Sequence, residues 1–399
     1  MDMPGKAIVI GAGIGGLTAA HGLRRTGWQV EMFDRAADIG GFGSGLSIAP
    51  NAMRALRDLG LDAAVDRIGQ RLDGLEARLR SGRRVLHIES PHLAAQYGTG
   101  LYGVHRGELH RLLRDSLDDV ALHPDRRAIG VVRDGSRATV TLDAPGGPLA
   151  VHADLVVVAD GVHSRLRAAL FPGHPGPRYA GYVAWRGIVP ADAGLDVAPT
   201  LTETWGDGVR IGVMPLRDRR IYWYAFETAP ENATPAAEVR DLLARSAPWP
   251  GPIRAVLAAT PPDAVLVHPV HYLATALPAF GLGPIALLGD AAHAVTPDIG
   301  QGACLAIEDA AVLAATVAEH GVAVGIRAYD AARRPRTQSI ARASGRIGRA
   351  LQGNSPAAAR VRDIAARLTP PGANARFSDS LYGWTPPTET RLLGTVAGG

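Results

Sequence analysis

Ala7-Ile-Val-Ile10 runs directly into Gly11-Ala-Gly13-Ile-Gly15-Gly16, and a helix-forming stretch from about Gly15 to Thr26 ends at Gly27. Val30, Met32 and Asp34 then alternate as a second strand. A short apolar run, a glycine turn, a helix and an alternating strand in that order make a βαβ unit. Glycines in this turn let the backbone bend tightly and approach a pyrophosphate, which rests on the helix N-terminus. Asp34-Arg35 closes the second strand, where a carboxylate can accept both ribose hydroxyls of an adenosine. Its charge favours a free 2′-hydroxyl over a 2′-phosphate. The candidate nucleotide-binding residues are therefore Gly11, Gly13, Ile14, Gly15, Gly16, Asp34 and Arg35, and this motif alone leaves FAD and NAD equally open.

Outward from this unit, Pro50 starts a helix that stops at Gly60, and His105 to Leu117 reads as another. Leu155-Val-Val-Val158 is an apolar run of the parallel-sheet type. Short β-rich segments follow at Tyr182 to Val189, Leu201 to Trp205, Val209 to Met214 and Ile221 to Phe226, suggesting an antiparallel sheet beside a pocket. Ile285 to Leu288 is a buried strand again, with a helix from about Gly302 to His320. The remainder is helical and arginine-rich, interrupted near Ser355 and Pro370. The expected fold class is α/β: a discontinuous Rossmann-type nucleotide domain, an inserted antiparallel β-sheet substrate domain and a helical C-terminus. The expected boundaries are 1–75, 99–178 and 268–335 for the first, 76–98 and 179–267 for the second, and 336–399 for the third.

Composition narrows the function. The 399 residues are 47% hydrophobic and 20% charged, as in a compact enzyme. The net charge is only +4 and the basic residues are arginines spread along the chain, with Lys6 the sole lysine. A nucleic-acid groove needs a clustered basic stripe instead. Cys304 is the one cysteine, which excludes an internal disulfide, a zinc cluster and a Cys-x-x-Cys pair and points to a reducing cytoplasm. No signal-peptide pattern is visible, and Ala7 to Ile10 is far too short to span a membrane.

Two further motifs carry chemistry. Asp160-Gly161-Val-His163-Ser164-Arg165-Leu-Arg167 follows the strand at 155–158. Gly289-Asp290-Ala-Ala-His293-Ala-Val-Thr-Pro297-Asp298-Ile-Gly300-Gln301-Gly302-Ala-Cys304 follows the strand at 285–288, with Glu308-Asp309 a turn further on. A carboxylate at a strand end can hold a polyol hydroxyl. The small-residue loop from Pro297 to Gly302 can lie flat against a ring, and the helix beginning there aims its positive end at an anion. Phosphate, polyol and planar-ring sites thus occur in one chain.

As an ordered triplet these segments resemble the group A FAD-dependent monooxygenases, the family of 4-hydroxybenzoate, salicylate and urate hydroxylases, with the urate branch most similar. The resemblance reaches at least Tyr329–Arg336, and Leu381-Tyr-Gly383 is also familiar. It implies noncovalent FAD, NADH or NADPH as transient co-substrate, dioxygen, and hydroxylation of a small aromatic or heteroaromatic substrate through a flavin 4a-hydroperoxide. Asp290 should hold the ribityl chain and Arg106 the phosphates or ribityl. Asp160, with Arg165 or Arg167, belongs to the segment used for FAD and the nicotinamide nucleotide. Pro297, Gly300, Gln301 and Gly302 should face the ring. Val158 departs from the glycine of many relatives, but Gly161 keeps the turn. Arg210 and Tyr222 match the urate branch as catalytic substrate contacts, the arginine favouring a substrate anion and the tyrosine hydrogen-bonding it. Gly212, Met214, Tyr224, Trp185 and Arg186 are further pocket candidates, and Met214 disfavours a benzoate held by its carboxylate. His293 reads as a hydrogen-bonded structural residue and Cys304 as a small apolar helix residue. A halogenase would need an active-site lysine, which Lys6 cannot provide. An epoxidase, a flavin reductase and a non-catalytic nucleotide-binding scaffold stay open.

Overall fold

The computed structural model describes residues 5–40, 43–144, 146–231, 239–245, 249–353, 355–368 and 371–387. Pro370 and the last twelve residues of the expected C-terminal region lie outside them.

The strand Lys6–Ile10 sits inside a six-stranded sheet between Leu155–Val158 and Gln29–Phe33, both parallel to it. Ala121–His123 extends the sheet on one side, and Ile285–Leu287 then Gly281–Leu282 on the other. The central strands of this layer are apolar throughout because both of their faces are covered; Ile8, Val9, Val156 and Val157 have no solvent exposure. The helix Ile14–Arg25 packs against the long helix Gly302–Leu351. A Cβ on Gly22 would lie 2.9 Å from the Ala314 Cβ, so glycine permits that close approach.

A seven-stranded sheet forms the second layer, in the order Leu266–Tyr272, Arg178–Val189, Ile221–Thr228, Val209–Pro215, Thr200–Trp205, Gly74–Leu79 and Arg84–Glu89. Its pairs are antiparallel except Thr200–Trp205 with Gly74–Leu79. One face carries Trp185, Ile211, Val213 and Trp223 into a core closed by the helices Val239–Arg245 and Ile253–Ala258. The opposite face looks toward the nucleotide layer. Strands at 45–48, 70–72 and 101–105 form a small sheet between the two layers.

The four expected β-rich segments are strands of this sheet. The helix expected to end near His320 instead continues to Leu351, but Gly321 breaks it there with φ 68° and ψ 175°. A three-stranded sheet at 127–153 had no counterpart in the sequence reading. An 18-residue window of Gly302–Leu351 is apolar enough to cross a membrane, and half of that window is buried inside the protein.

Candidate functional site

Each glycine of the first turn has its own physical reason. Gly11 has φ +105°, and a Cβ there would lie 2.3 Å from the Ala159 carbonyl oxygen. A Cβ on Gly16 would lie 1.9 Å from the Gly11 carbonyl oxygen. Gly13 is different: nothing lies within 4 Å of its Cβ position, and no side chain caps the helix that follows it. The open helix start is thus free to receive an anion. Asp34 steadies the turn, Oδ2 accepting from the Ala12 amide at 2.6 Å and Oδ1 from the Ala36 amide at 2.8 Å. Arg35 beside it is exposed.

From this turn a cavity of about 1250 Å³ runs past Ser44–Ser47, Arg106, Asp290 and the Pro297–Gly302 loop to the seven-stranded sheet. Asp290 lines that cavity and is exposed to it. Burial raises its carboxyl pKa, while His293, Arg106 and Arg167 work against the rise. Asp160 ends the strand at 155–158, and burial raises its pKa too. Its Oδ1 is buried with no hydrogen-bond partner, and its Oδ2 accepts from the Leu166 amide at 3.5 Å. Arg165 is exposed, whereas Arg167 is buried and joins the two motifs by donating to the carbonyls of Ala291 at 3.1 Å and Val162 at 2.7 Å.

On the sheet side Arg186, Met214, Tyr222 and Tyr224 line the cavity. The Arg186 guanidinium donates to the His268 ring, and its charge acts on the Tyr222 hydroxyl. Burial raises the Tyr222 pKa, and the positive charges of Arg186 and Arg106 only partly oppose it. Burial and the same two arginines depress His268 to about 4, so at neutral pH its ring is uncharged and accepts from Arg186.

Three expected pocket residues lie elsewhere. Arg210 points to the cavity side of the sheet but is fully buried and absent from the wall. Its donors are spent: Nε on Gln352 at 2.9 Å, Nη1 on Glu203 at 3.1 Å and Nη2 on Asp298. Gly212 lies under the Tyr224 ring, where a Cβ would meet Cζ at 2.1 Å. Trp185 occupies the opposite face and donates to Glu227 at 2.9 Å. His268 was missed by sequence reasoning; its alternation with Leu266 and Val270 was the available signal. Also missed was the brace behind the Pro297–Gly302 loop. Arg333 binds Asp309 at 2.7 Å and Glu308 at 2.5 Å, Asp309 binds His293 at 2.5 Å, and Asn51 bridges Glu308 to Gln301.

The family model described as "FAD binding domain" matches residues 5–344. The chain belongs to this family of FAD-dependent monooxygenases. It is 35% identical to aurachin C monooxygenase/isomerase of Stigmatella aurantiaca, over 90% of this chain and 93% of the relative. It is 31% identical to 2-heptyl-3-hydroxy-4(1H)-quinolone synthase of Pseudomonas aeruginosa, over 94% and 97%. Among solved structures, Klebsiella pneumoniae HpxO complexed with FAD and uric acid superposes with TM-score 0.83 at 30% identity, covering 94% of this chain and 96% of that one. The expected α/β flavoprotein fold is therefore met. The residues also suit the family's FAD: Gly13 leaves space at an uncapped helix start, Asp160 keeps an unpartnered buried oxygen, and Asp290 faces the cavity between them and the sheet.

Proposed function

We propose that this monooxygenase is a single-component enzyme that takes electrons from NADH or NADPH through noncovalently held FAD and hydroxylates an aromatic or heteroaromatic ring. One observation carries the reading: a single cavity joins the glycine turn, Asp290 and the Pro297–Gly302 loop to a corner walled by Arg186, Tyr222 and Tyr224. FAD, when bound, supplies electron transfer and the activation of dioxygen.

The chain's own residues hold, orient and shield. The amides after Gly13 would receive the pyrophosphate, Asp34 the adenosine ribose and Asp290 a ribityl hydroxyl, with Arg106 on the same cavity wall and Asp160 next to its lining residues Ala159 and Gly161. The Pro297–Gly302 loop backs the planar ring. Arg186 and Arg106 set two positive charges beside Tyr222. A ring hydroxyl or ring amide placed there ionises more readily, and the anion is the more electron-rich partner for an electrophilic oxygen. The Tyr222 hydroxyl hydrogen-bonds the ionised ring oxygen, and neutral His268 keeps Arg186 in place. In this reading the cation facing the substrate is Arg186, because Arg210 is occupied by Glu203 and Asp298.

The test is oxygen uptake by the FAD-loaded protein with NADH or NADPH, across phenols, pyridinols, purines and quinolones. A substrate should accelerate flavin reduction and give a hydroxylated product. Arg186→Met should lower the yield of product per NAD(P)H consumed without releasing FAD. A purified protein that stays colourless when mixed with FAD, or nucleotide oxidation that no ring compound alters, contradicts the reading.

A further inference from the structure

One cross-strand row of the seven-stranded sheet leads away from the Tyr222 corner. Met214 pairs with Tyr222. Leu201, next to the Thr202–Val213 pair, falls opposite Met214. Leu201 pairs with Leu75, and Leu75 with Ile88. At about 4.8 Å between neighbouring strands, the four steps from Tyr222 to Ile88 span roughly 19 Å. All five side chains line the cavity, and beside them so do Ala77 and Leu86, themselves a pair. Ile347, Leu351, Ala366 and Phe377 of the C-terminal helices form the facing wall.

Two charged side chains along this slot, Glu203 and Arg362, are already engaged. Glu203 accepts from Trp205 at 2.7 Å, Tyr224 at 2.7 Å and Arg210 at 3.1 Å. Arg362 donates to the Gly206 carbonyl at 2.8 Å and to Asp363 at 2.8 Å. A polar group entering the slot would lose its water and gain few partners, whereas an apolar one loses nothing.

We propose that the substrate carries an apolar chain of several carbons on its ring, and that this chain lies along the Leu201–Leu75–Ile88 row while the ring sits at Arg186 and Tyr222. The placement of the ring rests on the hydroxylation reading; the slot itself does not.

The test is equilibrium binding to the FAD-loaded protein without NAD(P)H, by calorimetry, using methyl and heptyl members of two series, 4-alkylphenols and 2-alkyl-4(1H)-quinolones. Each buried methylene contributes about fourfold in affinity, so the heptyl member of at least one series should bind at least about 100-fold more tightly. Ala77→Phe, which fills the slot, and Leu86→Gln, a milder change at the edge strand, should each reduce the heptyl-to-methyl ratio. Equal affinity for methyl and heptyl members in both series, or a ratio unchanged in both variants, overturns the proposal. Chain-dependent binding without any oxygenated product would instead overturn the hydroxylation reading and leave the slot standing.

Discussion

Asp290 and Arg210 are two charged residues in opposite surroundings, the first exposed to the cavity and the second fully buried. Asp290 looks into the cavity, and Asp290→Ala removes a charged acceptor from the proposed ribityl path; such a hydrogen bond is worth about 1.5–3 kcal/mol. FAD titration of the apoprotein should show about 10- to 150-fold weaker binding, with the unfolding midpoint of that apoprotein little changed. Arg210 is spent inside the protein, so Arg210→Met strands Glu203 and Asp298 as uncompensated buried carboxylates. Losing one partner of such a group costs about 3–5 kcal/mol, which urea unfolding should register. Residues 210, 212, 214, 222 and 224, all named from the sequence as pocket candidates, share one face of the sheet. The sequence could not tell that Asp298 from the Pro297–Gly302 loop and Gln352 from the far end of the long helix close over Arg210 and leave Arg186 facing the cavity. Those partners lie 88 and 142 positions away in the chain, beyond the reach of any local pattern.

Among elements, the glycine turn separates what the fold needs from what the ligand needs. Gly16→Ala puts a methyl 1.9 Å from the Gly11 carbonyl oxygen, so the helix must shift and thermal stability should fall. Gly13→Ala meets no protein atom and keeps an ordinary backbone angle, φ −75°. Its unfolding temperature should match the unaltered apoprotein while FAD affinity drops, because the new methyl would fill the open helix start proposed for the pyrophosphate. Equal effects of the two substitutions on FAD affinity and stability would contradict this division. The βαβ unit and the buried strands were legible because each is a short apolar run beside a glycine turn. The long helix was legible only as far as Gly321, where the left-handed φ requires a glycine and the pattern looks like an end. Packing against the sheets, which no periodicity records, carries it on to Leu351.

Across the whole molecule, two sheets drawn from interleaved stretches of chain enclose one cavity, and their joint charge balance sets an acid limit. His268 falls to about 4 in the folded protein against an ordinary 6.5. The unfolded chain therefore binds more protons between those values, and stability declines as pH falls through the window, by at most about 1.4 kcal/mol per pH unit from this group. Urea midpoints compared at pH 7 and 5 should show the decline, and His268→Gln should make it shallower; an unchanged slope would place the acid sensitivity elsewhere. In the proposed function, this cavity brings activated dioxygen to a ring held at Arg186 and Tyr222. The most direct measurement is mass spectrometry of the product formed under isotopically labelled dioxygen by the FAD-loaded protein with NAD(P)H and a ring compound that stimulates flavin reduction. The account predicts a product carrying one labelled oxygen atom on the ring. A product labelled only from water, or a reduced product that forms equally well without dioxygen, would contradict it.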